Sequence, residues 1–295
     1  MSLRRRDFLA LSMGAIAAVG CVSGKRAIAP DDMAIAANSF ADEDARSDFE
    51  DGVGDEETMP KDHLAIFEEA QHLEPIVAKG EELDLLKSAF ARLSAVQKHI
   101  GFGNFNVIGF DAMLSVAKTS KAIGAFDAKE LGYLEALFFR DAKEYGFFGA
   151  KVTEQLTSLI EQKEIFKAAH TGHYLYKGQA AKVYESVKKD IGETIVMTSG
   201  VRGIPKQFYL FLAKTLKCGG SYSEASRSLA PAGYSYHGVG DFDVGKVGFG
   251  EKNFTQDFEQ TREFEKLMQL GYIAIRYPRG NPYGVYFEPW HVEVV

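Results

Sequence analysis

The chain has 295 residues, of which 46% are hydrophobic and 25% are charged, so it is long enough to bury one or two ordinary cores. Residues 1–30 carry a net charge of +4 and residues 31–60 carry −10, so the total of −7 leaves −1 for residues 61–295. The body of the chain therefore lacks the basic excess that phosphate contacts require, which argues against nucleic acid as a partner.

The first 21 residues have the pattern of an export signal. Three arginines precede an apolar stretch, Phe8 to Val19, that is too short to span a bilayer as a mature helix. The run Arg5-Arg6-Asp7-Phe8-Leu9 resembles the twin-arginine pattern. Ala18-Val19-Gly20-Cys21 is similar to a lipoprotein cleavage box, so Cys21 is a candidate for acylation. The sequence predicts export to the periplasm or cell envelope, and leaves open whether a lipid anchors the chain.

Two segments separate this signal from the C-terminal third. Residues 22–62 are acidic, rich in small residues and without apolar periodicity, which predicts a disordered linker. Residues 63–187 are predicted to be mainly helical, because apolar residues recur at three- and four-residue steps. Asp111 and Asp127 each precede an apolar run and are predicted to cap helices.

Short strands and loops predominate from about residue 194 onward. The pattern predicts an α+β domain with a small antiparallel sheet and flanking helices, preceded by the mainly helical region. The predicted elements are a strand at Ile195 to Met197, a helix at Pro205 to Lys217, alternating apolar residues from Val239 to Val247, a helix from Thr255 to Leu270, and closing strands at Tyr272 to Ile275 and Val285 to Phe287.

Two of the seven histidines lie beside carboxylates in this domain. His237 is followed by Asp241 and Asp243, and His291 follows Glu288 by three residues. A catalytic zinc commonly takes three ligands from histidine and aspartate or glutamate, and a nearby carboxylate then serves as the base. The pattern indicates a metal-assisted hydrolase. His170 and His173 flank Thr171 and Gly172, which disfavour a helix, so we interpret them as surface or groove residues.

Three motifs occur in order along residues 194–295. They are Ser199-Gly200-Val201-Arg202, then Ser235-x-His237-x-x-Gly240 with an aspartate close behind, and finally Glu288-x-Trp290-His291. This series resembles the signature motifs of the zinc D-alanyl-D-alanine carboxypeptidase and dipeptidase family, which includes the vancomycin-resistance enzymes. The resemblance implies that residues 188–295 form a zinc peptidase catalytic domain.

The resemblance also implies a role for each motif residue. His237, Asp243 and His291 would bind Zn²⁺, and Glu288 would act as the general base. Arg202 would stabilise the oxyanion or hold the substrate carbonyl. The remaining motif residues, Ser235 and Trp290, would orient the ligands and line the site.

The spacing of the aspartate departs from the family pattern. The family usually places six residues between the first histidine and the aspartate, whereas five separate His237 from Asp243. In an extended segment Asp241 and Asp243 point the same way, so either could reach the metal. We choose Asp243 because its apolar neighbours, Phe242 and Val244, match the context of the family ligand. Asp241 then becomes a loop acid or a support for a ligand.

The function implied by the resemblance is zinc-dependent hydrolysis of peptidoglycan stem peptides, and removal of a terminal D-alanine is its expected form. An export signal is consistent with a substrate outside the cytoplasm. Two alternatives stay open: an endopeptidase that cuts within a stem or crosslink, and a non-catalytic module that binds zinc or the cell wall. The presence of Glu288 favours an enzyme, because simple metal binding needs no base.

Overall fold

A long amphipathic helix, α1, organises the first part of the described chain. The protein is seen here as a computed structural model that describes residues 74–295, so the predicted signal, Cys21 and the acidic linker lie outside the described residues. Helix α1 spans Glu81–Ile100 and buries Leu86, Leu93 and Val96 along one face. Acidic residues occupy its first turn and Lys98 and His99 its last, which complements the helix dipole.

Three further helices pack beside α1. They are α2 (Phe102–Phe105), α3 (Phe110–Thr119) and α4 (Ala128–Phe139). Asp127 caps α4 as predicted: its side chain accepts hydrogen bonds from the backbone N–H groups of Lys129 and Glu130. The predicted cap at Asp111 is wrong. Gly109 occupies that position, and Asp111 lies within the first turn of α3.

The helical core extends into the C-terminal third of the chain. Helix α5 spans Gln179–Ile191, α6 spans Ile204–Lys217 and α7 spans Tyr222–Ser226. Helix α6 packs on α1 and buries Phe208, Phe211 and Leu212 in the same hydrophobic cluster as Leu86 and Leu93. The helical region therefore fixes the position of α6, which begins directly after the Ser199–Arg202 motif.

A four-stranded antiparallel sheet forms the second layer, as the α+β prediction required. Its strands are β3 (Ile195–Ser199), β4 (Phe242–Lys246), β5 (Ala274–Ile275) and β6 (His291–Glu293), in the order β3-β4-β6-β5. A separate hairpin pairs β1 (Ile165–Lys167) with β2 (Tyr174–Tyr176). The sheet core contains Met197, Phe242, Val244, Trp290 and Val292, and it also receives Val187 and Ile191 from α5.

Register within the sheet brings the motifs together. Asp243 lies opposite Ser199 on one neighbouring strand and opposite His291 on the other. The ladder between β3 and β4 shifts register between Met197 and Ser199, where the first motif begins. Directly opposed residues have side chains about 5 Å apart. Three motifs that are distant in sequence therefore meet at one end of the sheet.

Two predicted elements differ from the structure. The helix predicted from Thr255 is interrupted: 3₁₀ turns occupy Gly250–Phe254 and Gln256–Gln260, and helix α8 (Arg262–Gln269) starts after a second cap, Thr261. The predicted closing strand at Val285 to Phe287 is a loop. The N–H of Tyr286 bonds to the carbonyl of Arg227, outside the sheet, and the closing strand is β6 instead.

Every described residue belongs to one compact unit. Within residues 74–295 no helix has the length and apolar character needed to cross a bilayer.

A buried ion pair between Arg92 and Glu130 stabilises the helical region. Glu130 is almost fully buried, accepts hydrogen bonds from Arg92 and Ser88, and completes the cap of α4 by accepting the N–H of Asp127. Burial raises the pKa of Glu130, but the hydrogen bonds from Arg92 and Ser88 outweigh it, so its pKa lies below the usual value. The interactions that lower this pKa stabilise the folded state at neutral pH. Their contribution is lost as the pH falls through the folded-state pKa of Glu130.

We expect Glu130→Gln to reduce the free energy of unfolding by about 2 kcal/mol at pH 7, because it leaves Arg92 without its counter-charge. The difference from the unmodified protein should be smaller at an acidic pH below the lowered pKa of Glu130, where the native carboxyl is also protonated. Urea unfolding at both pH values measures this. Glu81→Gln, which removes a fully exposed partner of Lys129, is the control and should leave the unfolding curve unchanged. An equal loss at both pH values would contradict the explanation.

Candidate metal centre and active site

Three buried side chains converge where β4 and β6 pair. His237, Asp243 and His291 each offer one ligand atom, and these three atoms lie within 4.8 Å of one another. Their exposed fractions are only 2%, 2% and 3%. His237 lies in the 3₁₀ turn Tyr236–Gly238, while Asp243 and His291 face each other across the sheet.

The backbone of the first motif orients His237. Nδ1 of His237 lies 2.9 Å from the carbonyl oxygen of Gly200, so Nδ1 carries the proton and donates it. Nε2 is then free of a proton and lies 3.3 Å from Oδ1 of Asp243. Burial, together with the charge of Arg202, lowers the pKa of His237 to about 4. His237 is therefore neutral at physiological pH, as a metal ligand must be.

Close packing explains the glycine at position 200. A Cβ there would lie 2.1 Å from the carbonyl oxygen of Tyr174. The same carbonyl accepts the N–H of Val201 at 2.8 Å. Strand β2 thus holds the motif by its backbone, and a larger residue at position 200 would displace the carbonyl that orients His237.

The two oxygens of Asp243 have different surroundings. Oδ2 accepts a hydrogen bond from Nη2 of Arg202 at 2.8 Å. Oδ1 is fully buried and accepts no hydrogen bond from any described residue, although the imidazoles of His237 and His291 approach it at 3.3 and 3.4 Å. Burial raises the pKa of Asp243, but the charges of Arg202 and His291 lower it below its usual value, so Asp243 is a carboxylate. An unpaired buried carboxylate oxygen between two imidazoles fits a divalent cation, because leaving it bare is costly.

His291 lies between two sets of acids. Its Nδ1 is 3.4 Å from Oδ1 of Asp243 and 3.4 Å from Oε2 of Glu288, and its Nε2 is 3.2 Å from Oδ2 of Asp241. Burial lowers the pKa of His291, but its hydrogen bonds with Asp241 and Glu288 outweigh burial and raise the pKa to about 9. The ring is therefore protonated at both nitrogens in the absence of a metal, and a metal at Nδ1 must displace one proton.

Asp241 supports His291 from the side away from Asp243. It is fully buried and accepts two hydrogen bonds from Arg276, at 2.8 and 3.1 Å, and one from the N–H of Val294 at 2.8 Å. Its two oxygens are thus occupied by a guanidinium, a backbone N–H and the outer nitrogen of His291. Asp243 faces the inner nitrogen. The geometry therefore favours Asp243 as the ligand, with Asp241 fixing the orientation of the His291 ring.

Glu288 and Arg202 complete the polar cluster. Glu288 is buried, and burial raises its pKa while His291 opposes the rise. A carboxyl group with a raised pKa is a competent proton acceptor and donor near neutral pH. The Nε of Arg202 donates to Oγ of Ser199 at 2.9 Å, and its Nη2 holds Asp243. The first motif therefore supports one candidate ligand through Gly200 and another through Arg202.

The other two motif residues take structural positions. Ser235 is buried and opens the turn that carries His237, since its carbonyl accepts the N–H of Gly238 at 3.0 Å. Trp290 packs edge-to-face on Phe254 in the sheet core. Its carbonyl accepts the N–H of Val244 at 2.9 Å, which holds β4 next to the residue preceding His291.

Four residues near the centre were not predicted from sequence to be part of it. Arg276 binds Asp241, and Tyr277 packs edge-to-face on His291 with ring centroids 4.9 Å apart. His173, interpreted from sequence as a surface or groove residue, is partly exposed, and the charges of Lys206 and Arg202 act on it. Lys206 follows the Arg202 motif by four residues, and that proximity is the one signal the sequence offers for it.

The donor set defines the class of site. Two histidines and one aspartate beside a buried glutamate form the arrangement of a single-metal hydrolase. Residues 173–295 match the family model of VanY, described as D-alanyl-D-alanine carboxypeptidase. This match confirms the predicted resemblance for those residues. None of the curated proteins matches the chain.

Three solved structures are similar to part of this chain. The LdcB LD-carboxypeptidase, solved to show the molecular basis of peptidoglycan recognition, is 24% identical, and the match covers 41% of this chain and 59% of that one with a TM-score of 0.36. A D,D-pentapeptidase VanY from a VanB-type resistance cassette, in complex with Zn(II), is 20% identical over 45% of this chain and 78% of that one, with a TM-score of 0.34. VanYB in complex with D-Alanine-D-Alanine is 22% identical over 45% of this chain and 77% of that one, again with a TM-score of 0.34. The chain spans less than two thirds of the length of LdcB.

The two aspartates should differ in their effect on metal binding. We expect Asp243→Asn to abolish stoichiometric zinc binding, because it removes a ligand, and Asp241→Asn to weaken binding about 10- to 100-fold by loosening His291. Competition with a chromophoric chelator measures both affinities. Asp111→Asn, a change to an exposed residue in α3, is the control and should bind zinc normally. A reversed order of the two effects would make Asp241 the ligand.

Zinc binding should also release protons. The pKa of His291 is raised to about 9, so at pH 7 its Nδ1 must lose a proton before it can bind metal. We expect about one proton to be released per zinc at pH 7, and the number should fall as pH rises through the pKa of His291. Calorimetric titration in buffers of different ionisation enthalpy measures this number. Release that does not change with pH would contradict the assigned protonation of His291.

Proposed function

We propose that this protein is a zinc-dependent peptidase that removes the terminal D-alanine from peptidoglycan stem peptides ending in D-Ala-D-Ala. The observation that carries the proposal is the buried set of His237, Asp243 and His291, with the unpaired Oδ1 of Asp243 between the two imidazoles. The match of residues 173–295 to the VanY family model supports the reaction class. Because peptidoglycan lies outside the cytoplasm, the proposal includes an extracytoplasmic location.

The residues that would hold zinc are Nε2 of His237, Oδ1 of Asp243 and Nδ1 of His291. The ion would supply Lewis-acid chemistry, which polarises the peptide carbonyl and makes water a better nucleophile. The chain prepares these ligands through Gly200, Arg202 and Asp241. The ligands would therefore need little rearrangement on binding, apart from the loss of a proton by His291.

Glu288 would move the proton. It lies on the same side of His291 as Asp243, with its Oε2 3.4 Å from Nδ1. With its pKa raised by burial, Glu288 can accept a proton from the attacking water and later donate it to the leaving amine. Simple metal binding would not require a buried carboxyl group with this property.

Arg202 would stabilise negative charge on the substrate oxygen. A guanidinium has five N–H donors, and two of those of Arg202 hold Ser199 and Asp243. The others are available among the described residues to meet an oxyanion. Since the group is already fixed by these two bonds, it would not need to reorganise when charge develops.

The proposed extent of the catalytic domain includes a helix at its boundary. The division predicted at residue 188 falls inside α5, whose Val187 and Ile191 pack in the sheet core. The sheet and the motifs lie after that point. We retain residues 188–295 as the proposed catalytic domain, with α5 as a helix shared across its start.

Product analysis tests the proposed function. The purified protein, zinc-loaded or treated with chelator, is incubated with a stem peptide ending in D-Ala-D-Ala, and the products are identified by mass spectrometry. We expect the peptide to lose one alanine in the zinc-loaded sample and to remain intact in the sample treated with chelator. An internal cut would identify an endopeptidase, and tight zinc binding without any product would favour a binding module.

A Glu288→Gln variant separates catalysis from metal binding. It should retain zinc and lose at least about 100-fold in rate, because the amide cannot accept the proton of water. Glu185→Gln, an exposed change on α5, is the matched control and should keep full activity. Hydrolysis that survives in Glu288→Gln would remove Glu288 from the mechanism.

A further inference from the structure

Lys206 lies about one helical turn after Arg202 and has no acidic partner among residues 74–295. It occupies the first turn of α6, four residues after Arg202. Its Nζ donates a hydrogen bond to Oε1 of Gln97 at 3.0 Å and lies 5.1 Å from the centroid of the Tyr209 ring. Both partners are neutral. Among residues 74–295 no carboxylate forms an ion pair with Lys206.

The position is electrostatically unfavourable for a cation. Burial and, to a smaller extent, the positive charge of Arg202 lower the pKa of Lys206 to about 7. The start of a helix carries a partial positive charge, which also disfavours a lysine in the first turn. The fold therefore gathers positive potential beside Arg202 and provides no local counter-ion, while the side chain stays partly exposed.

His173 forms another part of this subsite. Nδ2 of Asn106 lies 3.4 Å from Nδ1 of His173, and an amide nitrogen can only donate, so Nδ1 accepts and Nε2 carries the proton. Burial, followed by the charges of Lys206 and Arg202, lowers the pKa of His173 to about 4. His173 is therefore a neutral hydrogen-bond donor, and the residue after it, Tyr174, accepts the N–H of Val201, the residue before Arg202, at 2.8 Å. Together the three side chains offer donors, which suits an anion.

The helical region contributes the supports of this subsite. Gln97 belongs to α1, and Asn106 follows α2. The backbone carbonyl of Asn106 also accepts the N–H of Gly203 at 2.7 Å, which joins the helical region to the residue after Arg202. Gln97 holds the ammonium group, and Asn106 sets the tautomer of His173. The helical region thus shapes the site next to the metal ligands.

We propose that Lys206, with His173 beside it, binds the free C-terminal carboxylate of the peptide and thereby restricts cleavage to terminal residues. This inference rests on the proposed peptidase function. A terminal residue places its carboxylate about one residue length, roughly 3.5 Å, beyond the bond that is cut. An internal peptide bond has no charge there. Binding at an internal bond would leave the Lys206 ammonium group without a counter-ion, so the lysine selects for chain ends.

Paired substrates test this subsite. A stem peptide ending in D-Ala-D-Ala is compared with the same peptide carrying a C-terminal amide. The unmodified protein should favour the free acid, and Lys206→Met should lose about 10- to 100-fold on the acid, mainly through a higher KM, while its rate on the amide is unchanged. Lys206→Arg should recover part of the preference, because it keeps the charge. Lys182→Met, on the exposed side of α5, is the matched control and should keep the full preference.

A binding measurement keeps this test separate from the proposed function. Calorimetry on zinc-loaded Glu288→Gln measures the affinity of acid and amide without turnover, and zinc content and circular dichroism establish that each Lys206 variant is folded. Tighter binding of the acid that Lys206→Met abolishes supports the subsite even if no substrate is hydrolysed, in which case only the proposed function fails. An acid-to-amide ratio that Lys206→Met leaves unchanged, in binding or in hydrolysis, overturns the proposal.

Discussion

The candidate site depends on one cross-strand pair, Asp243 on β4 opposite His291 on β6. Both side chains are buried, so each needs partners inside the protein. Arg202 holds one oxygen of Asp243, and Asp241 holds the outer nitrogen of His291. The atoms left facing each other are those suited to a metal. The register of the sheet therefore creates the centre, since a slip of one residue would turn one of these side chains to the opposite face.

The charges around this pair are arranged in two buried ion pairs. Arg202 pairs with Asp243, and Arg276 pairs with Asp241. Burying such groups is costly unless each is paired, so removing one member destabilises the rest. Arg276 also contacts Glu293 at 3.1 Å, and its guanidinium lies 3.9 Å from the centroid of the Tyr236 ring. This packing links β6, the segment after β5 and the turn of His237 into one support.

The helical region and the sheet meet at the first motif. Gly200 is placed by β2 and by its hydrogen bond to His237, while Gly203 is tied to Asn106. Helix α6 then continues into the helical core through Phe208 and Phe211. A change in the packing of the helices would therefore alter the position of Arg202. This connection gives the helical region a physical route to the chemistry, and the subsite of Lys206 and His173 lies on that route.

The sequence by itself determined the α+β class, the helix after Arg202 and the resemblance to the VanY family, because periodicity, caps and ordered motifs are local properties. It also offered both Asp241 and Asp243 as candidate metal ligands. Only the tertiary structure distinguishes their roles, because the two carboxylates face opposite nitrogens of His291. Tertiary structure also placed the closing strand at β6, since the backbones of Tyr283 and Tyr286 form hydrogen bonds with Phe148 and Arg227 instead of with the sheet. His173 and Lys206 carried no motif. His173 contacts Asn106 across 67 positions of sequence and Lys206 contacts Gln97 across 109, and no local pattern records such contacts.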